Sequence, residues 1–282
     1  MSKTQSFVLD ANTDAPIHGV AHFPTTPGPQ PTVLICHGFK GFMEWGFFPP
    51  LAELLADRGF TAVRFNYTGS GMKPGDELVT DLDAFRLNTF SRERDETLRV
   101  LAALGDEIAP GRVDTEKIGL VGHSRGGGAS ILVSAHPEWK DRLGALVTWA
   151  AVSTWDRFGG EKTKKAWRAQ GTLPIKNART GQELQLGVEL LEDMEGNREA
   201  LDILAAAGRR EAPWLIVHGA DDEAVPAPEA EALNQTAGGE HELLMIPDAG
   251  HTFNAKHPFA GPTPQLIEAM NATQTWLRRH LC

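Results

Sequence analysis

Short apolar runs alternate with longer amphipathic stretches along most of this chain, and that alternation limits the fold more than any other feature. "TVLICHG" (Thr32–Gly38), "TAVRFNY" (Thr61–Tyr67), "KIGLVG" (Lys117–Gly122), "GALVTWA" (Gly144–Ala150), "PWLIVHG" (Pro213–Gly219) and "HELLMI" (His241–Ile246) are such runs. Each is bounded by Gly, Pro or polar residues and is rich in β-branched or aromatic side chains, which predicts a strand. Continuous apolar runs suit parallel strands buried on both faces. "SFVLD" and Ile17–Phe23 read as an opening antiparallel pair. Between the runs lie helical patterns. Pro49–Gly59 begins on prolines and ends on glycine, as helices do. Ser91–Asp106 sets Leu98, Leu101 and Leu104 on one face. The small apolar segment after Ser124, Ala227–Ala237 and Thr263–His280 complete the set. The expected fold is α/β, with a mostly parallel, doubly wound sheet and helices on both faces.

One segment interrupts the alternation. From Val152 to Glu211 no clear strand appears, and "EKTKKAWRAQG", "QELQLGVELLEDM" and "NREALDILAAAGRR" read as helices. The segment is too long for an ordinary connection, so it is expected to be a helical cap inserted in the core. The expected division is a core of 1–151 and 212–282 with a cap of 152–211. No internal repeat or low-complexity tract occurs.

Composition excludes several function classes. A formal charge of −10 and a pI near 5.5 argue against a nucleic-acid partner, which requires a basic face. No apolar run approaches the roughly 18 residues of a membrane span, so no membrane partner is expected. The start, "MSKTQSFVLDANTDAP", has no secretory pattern. Cys36 and Cys282 make no disulfide framework, which favours a reducing cytoplasm. Oligomeric state stays open, a homodimer included.

Chemistry concentrates in "GLVGHSRGGGAS", Gly119–Ser130. With 29 glycines in 282 residues, a glycine at both ±2 positions of a given serine is about a 1% accident. Context adds weight, because Ser124 follows a predicted strand and opens a predicted helix, the placement of a nucleophile elbow. Cβ atoms at Gly122 and Gly126 would collide with neighbouring chain in so sharp a turn. The competing explanation is a plain close contact between strand and helix.

A serine needs a base. His251, in "PDAGHTF", lies between the last predicted strand and the last helix. Such loops face the crevice where ligands bind. His257 sits further along the same loop, and His123 is expected to point its side chain elsewhere. The imidazole in turn needs an acid. Asp222, in "HGADDEAVP", is preferred, with Asp221, Asp248 and Asp156 as alternatives that could instead make turns. The N–H of Arg125, just after the serine, and that of Phe39, in "CHGFKG", are the expected oxyanion-hole donors. Aromatic residues gather nearby: Phe39, Phe42, Trp45, Phe47 and Phe48 on one loop, and Trp155, Phe158 and Trp167 in the insertion. They would either bind an apolar acyl group or hold cap to core. The Arg125 side chain would meet a substrate carboxylate or pair with a cap acid.

The ordered set Ser124, Asp222 and His251, with "HGF" after a strand and "GHSRG" at a turn, resembles the α/β-hydrolase superfamily across almost the whole chain. "HGFKGFMEWGFF", "RFNYTGSG", "GHSRGG", "HGADDEAVP" and "DAGHTF" look most like bacterial feruloyl and cinnamoyl esterases and dienelactone-hydrolase-like serine hydrolases. The resemblance implies that the acid is Asp222, in the "HGxxDxxVP" loop. It also implies that a helical insertion after the sixth strand shapes the acyl pocket. Dienelactone hydrolases themselves carry cysteine where this chain has Ser124. An aspartate there would have suggested dehalogenases or epoxide hydrolases. The implied activity is hydrolysis of a small-molecule ester through an acyl-enzyme on Ser124, with no metal or organic cofactor. The alternatives are a peptidase or amidase of the prolyl-oligopeptidase type, whose propeller domain 282 residues would not accommodate, or a slow ligand-sensing protein on the same fold.

Overall fold

A computed structural model describes residues 3–11 and 15–282. Met1, Ser2 and Asn12–Asp14, which belong to the segment assigned above to the core, lie outside the described residues. The sheet has eight strands in the order β1-β2-β4-β3-β5-β6-β9-β10. β1 (Lys3–Leu9) and β2 (Ile17–Phe23) pair antiparallel, and β2 runs antiparallel to β4 (Thr61–Asn66). β3 (Gln30–Cys36), β5 (Val113–His123), β6 (Leu143–Trp149), β9 (Trp214–Gly219) and β10 (His241–Ile246) are parallel to their neighbours. This is the mostly parallel sheet that the continuous apolar runs predict.

Both faces of that sheet are buried, because successive side chains of a strand point to opposite sides. Val33 and Ile35 of β3 join one apolar cluster, while Leu34 and Cys36 join the other. The first cluster is closed by α1 (Phe48–Asp57) and α9 (Pro264–Leu281), through Leu51, Leu55, Leu266 and Leu277. The second is closed by α3 (Phe90–Ala103), α4 (Arg125–Ser134) and α8 (Ala227–Thr236), through Val100, Ile131 and Leu233. Each such fully buried side chain contributes roughly 1.5–3 kcal/mol. Thr89 caps α3, its hydroxyl accepting from Arg92 N–H at 3.2 Å, which fixes where that helix begins. A short α2 (Leu82–Arg86) precedes it.

The segment after β6 departs from the sequence reading. Helices α5 (Glu161–Gln170), α6 (Val188–Gly196) and α7 (Ile203–Arg209) are present. However, an antiparallel hairpin of β7 (Thr172–Lys176) and β8 (Glu183–Gly187) lies between α5 and α6. "QELQLGVELLEDM" was expected to be one helix; it is instead a strand to Gly187 followed by a helix. Leu184 and Leu186 point inward while Glu183 and Gln185 are exposed, a two-residue period too brief to outweigh the helical pattern beyond it. α7 is shorter than its pattern because the Asp202 carboxylate accepts from Ala205 N–H at 2.9 Å and starts the helix there. The buried residues Trp155, Trp167, Leu186 and Leu190 are continuous with the second core cluster. The segment is therefore packed as part of the molecule.

Candidate active site

The sheet order brings the predicted residues to one edge. β3 pairs with β5 in the register Cys36↔Gly122, so the loop carrying Phe39 lies beside Ser124. β9 pairs with β10 in the register Gly219↔Ile246, so the loops carrying Asp222 and His251 leave adjacent strand ends. β6 stands between β5 and β9, and the segment that follows it shares a cavity with Ser124.

Ser124 joins β5 to α4 with φ 56° and ψ −120°, a backbone region that a non-glycine residue occupies only at a cost of order 1–3 kcal/mol. Three hydrogen bonds pin it there. Ser124 N–H donates to the Trp149 carbonyl at 2.8 Å, and its carbonyl accepts from Gly128 N–H at 3.2 Å and Val152 N–H at 3.3 Å. The glycines two residues to each side are required by space. A Cβ on Gly122 would stand 2.5 Å from the Gly126 carbonyl oxygen, and one on Gly126 would stand 2.3 Å from that of His37. A Cβ on Gly128 would meet Trp155 and Val152 at 2.8 and 2.9 Å. The lack of a side chain at Gly128 therefore makes room for the segment after β6.

Ser124 Oγ lies 3.0 Å from His251 Nε2, and His251 Nδ1 lies 2.8 Å from Asp222 Oδ2. A carboxylate oxygen accepts, so Nδ1 carries the proton and Nε2 is free to accept from the serine hydroxyl. The other Asp222 oxygen accepts Ala224 N–H at 2.9 Å and Val225 N–H at 2.8 Å. Burial alone would raise the Asp222 pKa; the hydrogen bond and charge of His251 and the Val225 N–H outweigh it and hold the group below its ordinary value. The other acids lie elsewhere. Asp221 and Asp248 are exposed, and Asp156 pairs with Lys164 at 2.6 Å. His257 accepts from Gly46 N–H at 2.9 Å and meets Glu77 at 2.6 Å.

The backbone donors also have a cause. His37 Nε2 accepts from Tyr67 N–H at 3.2 Å, so the proton sits on Nδ1, which donates to the Gly38 carbonyl at 2.9 Å. Gly41 N–H donates to the same oxygen at 3.0 Å. With that carbonyl drawn one way, the planar trans peptide turns Phe39 N–H the other. Arg125 N–H is the first of α4, whose positive end faces the serine.

Three histidines beyond His251 pack around these residues, and the sequence alone did not show their contacts. His123, expected to point elsewhere, places its ring 4.8 Å from that of His251 and donates from Nε2 to the His251 carbonyl at 3.0 Å. It thereby holds the loop. Burial, then the charge of His251, pushes its pKa down to about 3, so it is a neutral strut. Burial likewise takes His37 to about 4. His218 donates to the Val225 carbonyl at 2.8 Å and lies 3.5 Å from Asp222. The recurrence of histidine at strand ends, in "CHG", "VGHS" and "VHG", was the available signal.

A cavity of about 350 Å³ opens over Ser124 and His251. Phe39, Trp155 and Phe158 line it, together with Phe90 of α3. Phe42 and Trp167 are instead buried in the second cluster, while Phe47 and Phe48 lie in the first, under α1 and α9, and take neither of the two expected roles. The Arg125 guanidinium lines the same cavity and pairs with no acid of the segment after β6. It donates through Nε to Glu93 of α3 at 2.6 Å and lies 4.3 Å from the Phe90 ring.

A family model described as "Alpha/beta hydrolase family" matches residues 33–261. The chain belongs to the alpha/beta hydrolase family. Among curated relatives, "Uncharacterized peptidase YuxL" of Bacillus subtilis is 27% identical over 255 residues, covering 89% of this chain but only 35% of that protein. The chain thus spans about a third of YuxL. "Serine hydrolase BPHL" of Mus musculus is 24% identical over 89% of this chain and 83% of its own length. Among solved alpha/beta hydrolase structures, Est1E from Butyrivibrio proteoclasticus with bound ferulic acid superposes with a TM-score of 0.73 at 20% identity, covering 97% of this chain and 98% of that one. Among the described residues, no helix is long and apolar enough to cross a membrane.

Proposed function

We propose that this chain is a serine carboxylester hydrolase acting on small to medium acyl or aryl esters. The observation that carries the reading is the hydrogen-bonded line from Ser124 Oγ through His251 to Asp222. Ser124 attacks the acyl carbonyl as His251 Nε2 takes its proton, and Asp222 stabilises the imidazolium that forms. Phe39 and Arg125 N–H groups receive the oxyanion. His251 returns the proton to the departing alcohol, and water cleaves the acyl-enzyme by the same route. The insertion, Val152–Glu211, acts as the cap that walls the acyl pocket. The likeness to an esterase holding ferulic acid supports an ester with an aromatic or apolar acyl group. The free thiols of Cys36 and Cys282 support a cytoplasmic setting.

YuxL, a relative named as a peptidase, makes amide cleavage the second reading. Rates on 4-nitrophenyl acetate and butyrate, set beside an aminoacyl anilide, separate the two. The ester reading expects turnover of the esters and covalent capture of Ser124 by a fluorophosphonate, lost in Ser124→Ala. Turnover of the anilide alone would overturn it.

A further inference from the structure

The charge of the cavity remains unexplained by ester hydrolysis alone. The chain carries a formal charge of −10. Yet the lysine and arginine side chains lining the cavity are Lys40, Arg125 and Arg157, and among the described residues no carboxylate lines it. Two of these cations are matched from behind. Arg157 is held by Glu229 and the Ala224 carbonyl. Arg125 is held through Nε by Glu93.

Lys40 is different. Among the described residues no carboxylate lies within ion-pair distance of it. Among the described residues its ammonium makes only a long hydrogen bond, 3.4 Å, to the Lys176 carbonyl. Burial lowers its pKa, as expected where no opposite charge compensates for lost water. Arg125 also has unused capacity, since its Nη2 is buried without an acceptor. Both cations rest on one ring: Lys40 Nζ is 5.4 Å and Arg125 Cζ 5.2 Å from the Phe39 centroid. Packing against aromatic rings, with Glu93 as partner at Nε, accounts for where Arg125 sits. It does not account for an unmatched ammonium beside it.

We propose that the cavity takes esters that carry a carboxylate, received by Lys40 and Arg125, with the apolar body of the substrate against Phe90, Trp155 and Phe158. This inference rests on the ester-hydrolase reading of Ser124 and names its substrate class. The chemistry at the serine is unchanged: the acyl carbon exchanges its alcohol oxygen for water oxygen, and the carboxylate takes no part in bond making. A cavity of about 350 Å³ lies at the lower end of the usual range for small-molecule sites, which suits a short half-ester of a dicarboxylic acid.

The test compares two esters of equal shape: the mono-4-nitrophenyl ester of glutaric acid and 4-nitrophenyl 5-methylhexanoate, in which a branched alkyl end replaces the carboxylate. The expected result is a kcat/KM ratio of about tenfold or more in favour of the charged ester, the scale of a hydrogen bond to a charged group. That ratio should fall toward unity in Lys40→Met. Because Arg125→Gln alone would strand Glu93, the second variant is the pair Arg125→Gln with Glu93→Gln, and the ratio should fall there too. Equal or better turnover of the neutral ester, with a ratio that neither variant moves, would overturn the carboxylate subsite and leave the esterase reading standing. If neither ester turns over, the esterase reading fails. Calorimetric titration of Ser124→Ala with both esters then decides the subsite alone. Tighter binding of the charged ester, lost with Lys40→Met, supports it, and equal binding overturns it.

Discussion

Asp222, linked to Ser124 through His251, and Glu93, bound directly to Arg125, are two buried carboxylates on different elements, and they are satisfied in opposite ways. Asp222, in the loop after β9, has one oxygen filled by two backbone N–H groups and the other by the His251 Nδ1–H. Its charge is met by dipoles. Glu93, on α3, is met by the Arg125 guanidinium at 2.6 Å and the Asn88 amide at 2.7 Å. Its partner is a permanent cation that does not give up its proton. A carboxylate met by dipoles leaves the neighbouring imidazole free to gain and lose a proton. One met by guanidinium fixes geometry and nothing more. Under the proposed mechanism, the same buried acid serves chemistry in one place and architecture in the other, and the partner decides which.

The sharpest way to break this comparison is Asp222→Asn. An amide in place of the carboxylate removes the acceptor that fixes the His251 tautomer and the charge that stabilises its cation. Loss in kcat of about 10⁴-fold is expected, with the fold retained. Ester hydrolysis and the rate of fluorophosphonate capture at Ser124 both report it. A loss of less than about tenfold would mean that His251 is oriented by something else and that Asp222 is only a turn residue.

The opposite pattern is expected at Glu93. Its side chain and that of Arg125 are 7% and 6% exposed, so the pair obeys the energetics of buried charges. Arg125→Met should destabilise the fold by about 3–5 kcal/mol, because it leaves a carboxylate buried without its cation. Adding Glu93→Gln should recover most of that loss. Urea unfolding of the two single variants and the double variant measures the coupling. Equal losses in Arg125→Met and in the double variant would show that Asn88 suffices for Glu93 and that the ion pair contributes little.

How far these features were legible depends on how local their causes are. The six core strands were readable because an apolar run between turn residues has few alternatives. Ser124 was readable because its two flanking glycines and the strand before it lie within a few residues. The β7–β8 hairpin was hidden by a helical pattern beginning at Val188, and by Pro174 inside "TLPIK". For Phe47 and Phe48 the sequence leaves open acyl binding or cap contact, and the start of α1 instead turns them into the core under β3. Which aromatic residue faces the cavity is set by helix rotation, which composition does not carry. Glu93 was invisible, and His37, His123 and His218 showed only as histidines at strand ends, without their partners. A buried polar side chain has no meaning until its partner across the fold is known, and Arg125 is 32 positions away from Glu93.

Glu96, one turn beyond Glu93 on α3, sharpens the comparison because it has neither kind of partner in full. It is 3% exposed. Its carboxyl accepts Thr68 N–H at 2.9 Å and the Thr68 hydroxyl, and no basic side chain pairs with it among the described residues. Burial pushes its pKa from 4.5 to about 7; the Thr68 hydrogen bonds oppose the rise and the Glu93 charge adds to it. The sign follows directly. The unfolded chain releases this proton near pH 4.5 and the folded chain near pH 7, so stability from this group is full below the first value. It falls as pH rises through the second and stays low above it, a loss of up to about 3 kcal/mol. Glu96→Gln keeps an acceptor for Thr68 N–H and cannot ionise. Urea midpoints of the variant should match those of the parent in acid and exceed them at about pH 8, with the difference opening across that interval. Parallel curves would mean that Glu96 is charged throughout and that Thr68 alone meets its charge, as the backbone does for Asp222. A divergence would make the proton itself the third kind of partner, after the dipole and the guanidinium.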